Sequence, residues 1–555
     1  MNLFTMPYFR VDCLSSFIGA LVVFFGVIIA WYSLSFMKGA KRLFGYYVYI
    51  FLTILCSLGA VFANNLVLLM VFWGFLGMLL YLLIGYGRTE KTTYTAKKAF
   101  IIIGGTDAFM LLGLAFVWKL SGSVEMDKIS IAMTSKAAVA AYLCLAAGAL
   151  AKAGAMPFHT WVPDMAEDAP VPVTALLPAS LDKLVGIYLL TRLSLDIFRM
   201  SAAMNTFLMV IGSVTIVAAV MMALVQHDMK RLLGYHAVSQ VGYMVLGIGT
   251  ANPIGIAGGL FHMLNNAIYK SALFLSGGAV EKESGTSDLD RLGGYAKFLP
   301  ISFIVFLIAS LAISGVPPFN GFVSKWMIYQ GIIETGKDGS RLWIVWLVAA
   351  MFGSALTLAS FMKLIHAIFL GQPSAETVAL EKGPGIRERS VNMWVPGVIL
   401  ATLCVVFGVA YYIPLKEFLV PSVGSNIHIY GLWTSGLATV LLIAGVILGL
   451  LIYFLGSGIK VRRAEIFVGG EEVSKHPDMR VSGTEFYRSI QDIGVLRALY
   501  GMARRKMFDI YEVGTKITFG FNGFLRFLHN GVLSTYLTWC LLGMLVLFYV
   551  LMRKP

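Results

Sequence analysis

Uncharged stretches long enough to cross a bilayer recur from one end of the chain to the other. A transmembrane helix needs roughly 20 apolar residues. Residues 43–87 contain no charged side chain, which leaves room for two helices hinged at Asn64-Asn65. Further spans are predicted at 13–37, 201–226, 342–362, 390–415, 430–459 and 531–552, and residues 233–269 and 299–324 also lack acidic and basic side chains. The pattern predicts an all-α, polytopic membrane protein with about 14–15 transmembrane helices.

Composition and charge agree with this pattern. Of 555 residues, 58% are hydrophobic and 13% are charged, about half the charged fraction of a typical soluble protein. The net charge of +14 predicts no nucleic-acid partner, because the basic residues cluster in short connections between spans. If the spans alternate, these connections share one side of the membrane, and the positive-inside rule makes that side cytoplasmic. The clusters are Lys38, Lys41 and Arg42, then Arg88, Lys91, Lys97 and Lys98, then Lys230 and Arg231.

The cysteines offer no metal or cofactor site. Zinc sites, iron–sulfur clusters and disulfide frameworks need clustered cysteines. The five cysteines lie in apolar segments without a Cys-x-x-Cys pair, at positions 13, 56, 144, 404 and 540. We therefore expect no cofactor in this chain.

Two halves of the chain each contain an apolar helix that is interrupted by glycine and proline beside a lysine. "LAKAGAMPFHTW" has Lys152 just before Pro157, and "AISGVPPFNGFVSKW" has Lys325 just after Pro317-Pro318. Matching interruptions are typical of inverted-repeat transporters, whose ion path runs beside the breaks. Unwound backbone at membrane depth is tolerated only where it is buried in protein or lines a wet cavity. The alternative is a pair of ordinary proline kinks.

The same pattern divides the chain into six segments. An N-terminal helix precedes the two halves. The two halves are followed by a loop with two plain spans, a polar and amphipathic stretch, and a last span. The amphipathic stretch suits a membrane surface, although its glycines argue against one continuous helix. The predicted boundaries are 1–42, 43–197, 198–370, 371–459, 460–530 and 531–555.

Ionisable side chains inside predicted spans are costly, and by default they are functional candidates. Asp107 stands alone in "IIIGGTDAFMLLGLAF", and Lys152 is its predicted partner on a neighbouring span. Lys183 follows Asp182 directly. Since adjacent helical residues point about 100° apart, we expect Lys183 to face inward and Asp182 to lie elsewhere. The alternatives are a static ion pair of Asp107 with Lys152, and a Lys183 side chain that snorkels to the surface.

A polar stripe follows one face of another predicted helix. His262, Asn266 and Lys270 in "GGLFHMLNNAIYKSALFL" recur every four residues, which places them on one face. An imidazole, an amide and an amine at this spacing can relay a proton through intervening water. The alternative is a stripe that holds two helices together.

Four more residues are accessory candidates. His236 lies on a second polar face, and His159 follows the first break. Lys363 and His366 lie three residues apart near the end of a span, where a long side chain can instead snorkel. All the candidates together form a line of ionisable groups through the bilayer, which indicates proton or cation conduction.

These stretches resemble the antiporter-like subunits of respiratory complex I. The same family includes Mrp sodium/proton antiporter subunits and the ion-translocating subunits of membrane-bound hydrogenases and formate hydrogenlyase. The resemblance covers about residues 11–370, and "SGVPPFNGFVSKW" favours the hydrogenase-type branch. The tail is similar to longer members that end in a lateral helix and a final span. The matching stretches are "AKAGAMPFHTWVPDMAEDAPVPVTALLPASLDKLVGIYLL" (151–190), "HDMKRLLGYHAVSQVGYM" (227–244), "HMLNNAIYKSALFLSGGAV" (262–280) and "SGVPPFNGFVSKWMI" (314–328).

The resemblance implies two inverted five-helix bundles, each with one broken helix. It also implies ion-translocating roles for Lys152, Lys183, His262, Lys270, Lys325 and Asp107. One position departs from the family pattern. Members that pump carry a glutamate that pairs with the lysine matching Lys152, and Gly74 stands in its place. Either Asp107 takes over this pairing, or the first half works differently.

We therefore expect a proton- or sodium-translocating, non-catalytic subunit of a redox-driven complex in a prokaryotic inner (cytoplasmic) membrane. Its partners would be other integral-membrane subunits and a peripheral redox module, and any Fe–S, flavin or Ni–Fe centres would lie in those partners. One alternative is an Mrp-like cation/proton antiporter or a bicarbonate-uptake subunit. The others are a haem-b electron-transfer subunit with His236 and His262 as axial ligands, and a structural scaffold with static ion pairs.

Overall fold

The computed structural model describes residues 8–87, 89–337, 339–382, 387–388, 390–424, 427, 435–455 and 483–552. Within these ranges, ten helices are long and apolar enough to cross a membrane, which confirms the all-α polytopic fold. The sequence predicts more transmembrane helices, about 14–15, because that prediction also counts broken helices and helices rich in buried polar side chains. The apolar helix Pro300–Ser314 is shorter than a full span, because it is the first part of a broken helix.

The first half follows a single N-terminal helix, α1 (Cys13–Phe36). Side-chain caps fix several of its helix starts, because Asn65 and Thr89 accept hydrogen bonds from backbone amides that have no partner within the helix. The half contains five helical segments, and the fourth is broken. They are α2 (Leu43–Phe62), α3 (Leu66–Ile84), α4 (Glu90–Ser121), the broken pair α5 (Lys136–Ala153) and α6 (Trp161–Asp168), and α7 (Val171–Leu176) continued by α8 (Asp182–Arg192).

The second half repeats this order. Asn252 caps the start of its third helix, and proline takes the first helical position there, where a missing N–H costs nothing. Its fourth segment is again broken. The segments are α9 (Ala202–Leu224), α10 (Met229–Gly249), α11 (Pro253–Ser284), the broken pair α12 (Pro300–Ser314) and α13 (Asn320–Lys337), and α14 (Trp343–Ile365).

The third helices of the two halves, α4 and α11, are close counterparts. Each has 32 residues and ends at a glycine in the left-handed conformation, Gly122 or Gly285. The eighteenth residue of each is ionisable and of opposite charge, Asp107 in α4 and Lys270 in α11. The repeat therefore places an acid in the first half at the position that holds a lysine in the second.

The core of the protein lies along α8, α10 and α11. All of α8 is buried, as are residues 254–280 of α11 and every residue of α10 except Arg231. These helices carry four of the nine candidate lysines and histidines, namely Lys183, His236, His262 and Lys270. The polar residues therefore lie in the interior of the chain rather than on its lipid-facing surface.

Short non-α segments connect these helices. Strands β1 (Ile131–Ala132) and β2 (Phe198–Arg199) form a two-residue parallel pair that joins the connection before α5 to the connection before α9. The π-helical segments are Leu177–Leu181, Leu193–Ile197, His366–Leu370 and Leu415–Leu419. The 3-10 segments are Gly85–Gly87, Met126–Lys128, Leu289–Arg291, Tyr295–Lys297 and Gly483–Tyr487.

The remainder of the chain comprises shorter helices and a separate compact unit. The chain clusters into two units, residues 1–493 and 494–555. The polar stretch 460–482 lies outside the described residues, and the lateral placement of the amphipathic stretch stays a prediction. The helices of the first unit are α15 (Ala375–Lys382), α16 (Val391–Val409), α17 (Tyr412–Pro414), α18 (Val420–Val423), α19 (Ser435–Leu455) and α20 (Arg488–Gln491), and those of the second are α21 (Gly494–Arg504), α22 (Ile510–Leu528) and α23 (Leu533–Met552).

A charge cluster joins the start of α1 to the end of α8. The buried Arg192 donates from one nitrogen to both oxygens of Asp12, at 2.6 and 2.7 Å, and from another to Asp196 at 2.7 Å. Arg10 lies against both carboxylates. Burial alone would raise the pKa of Asp12, but the hydrogen bonds from Arg192 and the Ser15 amide outweigh it and hold this pKa below its ordinary value.

We expect Arg192→Leu to lower the free energy of unfolding by about 1–3 kcal/mol, because it removes the hydrogen bonds from Arg192 to Asp12 and Asp196, whereas Arg10 still pairs with both carboxylates. Thermal unfolding of the detergent-solubilised protein measures this loss. The depressed pKa of Asp12 means that the contribution is lost as the pH falls below about 4. The control is Arg199→Leu, which removes an exposed arginine; equal melting temperatures for the two variants would contradict the prediction.

Candidate functional site

Both broken helices end in the same backbone geometry. Gly154 follows α5 with a φ of +85°, and Gly315 follows α12 with a φ of +80°, a conformation that only glycine adopts without strain. The amides of each glycine and of the next residue bond back to the last helical carbonyls. Both breaks then read Gly-x-x-Pro-Phe, at 154–158 and 315–319. The predicted interruptions are confirmed, and they are counterparts of each other.

The lysines beside the two breaks are not counterparts. Lys152 lies two residues before Gly154, and the matching residue of the second half is Ile313. Lys325 lies ten residues after Gly315, and its match is Asp164. Asp164 forms ion pairs with Lys98 at 2.7 Å and Arg231 at 3.1 Å. The first half therefore holds a paired acid where the second half holds a lysine.

Lys152 lies in the last turn of α5 and is fully buried. Its Nζ is 4.9 Å from the centroid of the Trp73 ring on α3. The Trp73 indole N–H donates to Asp107 Oδ1 at 2.9 Å. An indole therefore bridges the two residues that were predicted to pair. Among the described residues, the Lys152 ammonium has no hydrogen-bond partner.

Asp182 is the functional candidate that sequence reasoning missed. It was expected to lie away from the interior, but only 4% of it is exposed. Of the two carboxylates that act on Lys152, Asp182 has the stronger electrostatic interaction and Asp107 the weaker. Asp182 Oδ2 has no hydrogen-bond partner among the described residues. The first half therefore places two acids around Lys152.

Gly74 lies on the outward face of α3. It is exposed, and a Cβ added there would meet no atom within 4 Å. Its neighbour Trp73 is the α3 residue whose ring covers Lys152. The absence of an acid at position 74 therefore leaves no gap in the interior of this chain.

A π-helical segment before α8 explains the position of Lys183. Pro178 has no N–H and cannot continue the helical ladder, so the chain forms a π turn at Leu177–Leu181. The Lys183 ammonium donates to the carbonyl of Pro178 in this turn and, at 3.4 Å, to the carbonyl of Ala153 at the first break. Lys183 is fully buried, so it faces inward as predicted and does not snorkel.

The polar stripe on α11 joins the two halves. Asn266 Nδ2 donates to the carbonyl of Ala179 in the π segment at 3.3 Å, and Lys270 Nζ donates to the carbonyl of Leu233 on α10 at 2.9 Å. Lys270 also interacts electrostatically with Lys183 of the first half. His262, Asn266 and Lys270 are all fully buried. The stripe thus lies in the seam between the halves.

His262 connects this stripe to the second broken helix. Its Nδ1 lies 2.9 Å from Ser324 Oγ, and its Nε2 lies 3.0 Å from Gln240 Oε1. The next residue, Lys325, donates to the carbonyl of Ile313 at 2.8 Å and to Ser354 Oγ at 2.9 Å. Lys325 therefore binds the carbonyl of the residue that matches Lys152 in the repeat.

The accessory candidates occupy different surroundings. His236 is buried, with Nε2 at 2.7 Å from Ser360 Oγ, and the Phe361 ring lies against both His236 and Lys270. His159 is buried in the first break. Lys363 does not snorkel. It is fully buried and donates to the carbonyls of residues 224 and 226, which gives it the role of a cap on the end of α9.

The side chain of His366 has different surroundings from those of the other candidate residues. This residue starts the π-helical segment after α14, and its ring packs 4.9 Å from that of Phe486. The contact ties the end of the second half to the segment that follows residue 482. No side-chain hydrogen bond among the described residues connects His366 with the other candidate lysines and histidines.

His262 does not fit the role of a haem ligand. An axial ligand needs a ring nitrogen free to bind iron, and both nitrogens of His262 lie within hydrogen-bond distance of Ser324 and Gln240. His236 lies against Phe361, with ring centroids 4.8 Å apart, so a side chain of this protein occupies that side of its ring. The arrangement disfavours the electron-transfer alternative.

Comparison with known proteins gives one consistent family. Residues 63–357, which include every predicted ion-translocating position, match the family model described as NADH:quinone oxidoreductase/Mrp antiporter, TM. The A subunit of a Na⁺/H⁺ antiporter from Alkalihalophilus pseudofirmus is 29% identical over 88% of this chain and 65% of its own length. The A1 subunit of a Na⁺/H⁺ antiporter from Staphylococcus haemolyticus is 32% identical over 72% of this chain and 51% of its own length. The chain thus spans between about half and two thirds of these curated relatives.

Two solved structures share the fold. One chain of the Mrp complex from Dietzia sp. DQ12-45-1b has a TM-score of 0.68 at 23% identity, covering 75% of this chain and 84% of that one. One chain of the membrane-bound sulfane sulfur reductase, an archaeal respiratory membrane complex, has a TM-score of 0.80 at 21% identity, covering 98% and 89%. The protein described above is an integral membrane protein that belongs to the NADH:quinone oxidoreductase/Mrp antiporter transmembrane family.

Proposed function

We propose that this chain is an ion-translocating membrane subunit that moves protons along its buried polar row and carries out no bond chemistry. The observation that supports this most is the continuity of the row from the first break to the second. Ionisable side chains at this depth are expensive, and well-packed apolar residues would stabilise the same core at least as well. The row consists of Lys152, Asp182, Lys183, Lys270, His236, His262 and Lys325.

Several polar atoms along this row have no hydrogen-bond partner among the described residues. Buried polar groups are nearly always hydrogen-bonded, and ordered water is the usual partner where protein supplies none. Water at these points would complete a chain of proton donors and acceptors. The atoms without a partner among the described residues include Lys152 Nζ, Asp182 Oδ2, His236 Nδ1, Gln240 Nε2 and Asn266 Oδ1.

The chemistry of the row favours protons over sodium. Ammonium groups repel a sodium ion, whereas they exchange protons with water and with imidazole. Sodium also prefers a cage of several oxygen ligands, and the row presents nitrogen at Lys152, Lys270 and His262. A sodium ion, if one is transported, would follow another route.

In the proposed path, the lysines of the two halves have different surroundings. Asp107 and Asp182 stabilise the charged form of Lys152 in the first half, whereas Lys270 and Lys325 bind backbone carbonyls in the second. A proton that leaves Lys183 or Lys270 relieves the repulsion between them. Proton movement in one half is thereby coupled to the charge state of the other.

Two kinds of complex are compatible with this path, and they differ in what drives the ion movement. A redox-driven complex would need neighbouring membrane subunits and a peripheral redox module with Fe–S, flavin or Ni–Fe centres. The second candidate is Mrp-type cation/proton antiport, which the similarity to Na⁺/H⁺ antiporter subunits favours. Identification of the co-purifying subunits separates the two, because only the first includes a redox module. In both, the chain lies in a prokaryotic cytoplasmic membrane.

Lys325→Ala tests the proposed path. We expect ion movement to fall about 100-fold, because a positioned acid–base group contributes at least that factor to proton transfer. The measurement is the pH gradient formed across everted membrane vesicles that hold the assembled complex. The control is Lys337→Ala, which removes an exposed lysine from the same helix. Wild-type gradients in Lys325→Ala, at equal assembly, would refute the role of Lys325.

A further inference from the structure

A cavity of about 760 Å³ lies where four membrane helices begin or end. The ends of α1 and α11 and the starts of α12 and α16 surround it. Because the helix ends lie where hydrocarbon meets water, the cavity is at the level of the lipid headgroups. By the positive-inside rule, it faces the side with the basic connections. None of the residues that line it belongs to the proposed ion path.

The rim of the cavity is basic. Lys38, Lys282 and Arg387 line it, and all three are exposed. Lys282 Nζ donates one hydrogen bond to the carbonyl of Phe36 at 2.7 Å. Since an ammonium group has three N–H donors, Lys282 is held in place and still has donors for an anion.

The acids of the cavity offset only part of this charge. Glu388 accepts hydrogen bonds from the amides of Ile301 and Ser302. The positive end of α12 thereby offsets part of its charge. Glu283 is the other acid in the lining. Three cations therefore face one acid that is not held by a helix terminus.

The floor of the cavity is apolar, which sets the kind of ligand. The apolar residues of the lining, Ala279, Leu299, Met393 and Trp394, form this floor. Tryptophan is typical of the level at which headgroups meet acyl chains, and basic pockets between transmembrane helices on the cytoplasmic side bind anionic lipids. We propose that this cavity binds the phosphodiester headgroup of an anionic phospholipid, with the glycerol and upper acyl chains on its apolar floor.

The test compares lipid binding by the purified full-length chain and by two double variants. Lys38→Gln with Lys282→Gln removes two rim charges, and Lys41→Gln with Arg42→Gln removes two charges from the same connection but outside the cavity. Native mass spectrometry measures retained phosphatidylglycerol and phosphatidylcholine. We expect the rim variant to bind phosphatidylglycerol about tenfold more weakly than the control variant, and phosphatidylcholine to bind weakly to every form.

Two results would overturn the proposal. One is equal binding of phosphatidylglycerol by the rim and control variants. The other is displacement of the lipid by millimolar inorganic phosphate, which would mark a site for a soluble anion. If the rim variant does not fold, as judged by its melting temperature, Arg387→Gln and Lys38→Gln are measured singly against the same control and the same two results apply.

Discussion

Lys270→Ala is expected to abolish ion movement while the protein still folds and assembles. Lys270 lies in the seam between the halves, within electrostatic reach of Lys183 and beside the Phe361 ring that also contacts His236. Removing it interrupts the row at its middle, so no other lysine can complete the path. We expect a loss of at least about 100-fold in the initial rate of pH-gradient formation in everted vesicles.

Two variants separate this effect from damage to the core. Lys270→Arg keeps a charge at the seam but holds its proton at any working pH, so it should be as inactive as Lys270→Ala. Lys97→Ala removes an exposed lysine from α4 and should behave like the wild type. An active Lys270→Arg variant would show that charge alone matters and would contradict proton transfer through Lys270.

Asp182→Asn is expected to reduce ion movement more than Asp107→Asn. Asp182 has the stronger electrostatic interaction with Lys152, whereas Asp107 reaches it across the Trp73 indole. We expect a loss of about tenfold for Asp182→Asn, the factor that corresponds to about 1.4 kcal/mol of lost stabilisation, and a smaller loss for Asp107→Asn. Vesicle assays at matched protein levels measure both.

Gly74→Glu tests the alternative interpretation, in which an acid on α3 is the partner of Lys152. Position 74 faces outward with open space around its Cβ, so an added carboxylate should change ion movement little in the isolated chain. If Gly74→Glu restored activity to Asp182→Asn, the acid on α3 would be the partner of Lys152 after all. A larger loss for Asp107→Asn than for Asp182→Asn would likewise contradict the assignment.

Most of the helical framework could be predicted from sequence because its signals are local. Uncharged runs, glycine at helix ends and proline at the breaks act through residues close in the chain. The four-residue spacing of His262, Asn266 and Lys270 likewise predicted a buried face that the structure shows. The count of spans was less predictable, since breaks and buried polar residues shorten or disguise a membrane helix.

The burial of Asp182 could not be predicted, because it depends on how many sides of α8 are covered by other parts of the protein. A regular α-helix turns adjacent residues about 100° apart, so one of Asp182 and Lys183 should face away. The structure shows that every residue of α8 is buried, because other parts of the protein pack against all sides of this helix. Both side chains are therefore buried, and Asp182 reaches the surroundings of Lys152.

The hydrogen bonds of Lys363 could not be predicted from sequence either, because its partners lie far away in the chain. Its place near the end of a span predicted an accessory role or a side chain that snorkels. The carbonyls that it binds belong to residues 224 and 226, on a helix that ends well over a hundred residues earlier. Only the packing of α9 against α14 brings them together.

The sequence by itself determined the membrane class, the helical framework, the two broken helices and the lysines and histidines that lie in the interior. These follow from hydrophobic periodicity and from backbone rules that act within a few residues. The tertiary structure alone decided which groups meet. It placed Asp182 and the Trp73 indole around Lys152, turned Gly74 outward, and put Lys270 in the seam between the halves. Such contacts join residues far apart in the chain, and no local pattern encodes them.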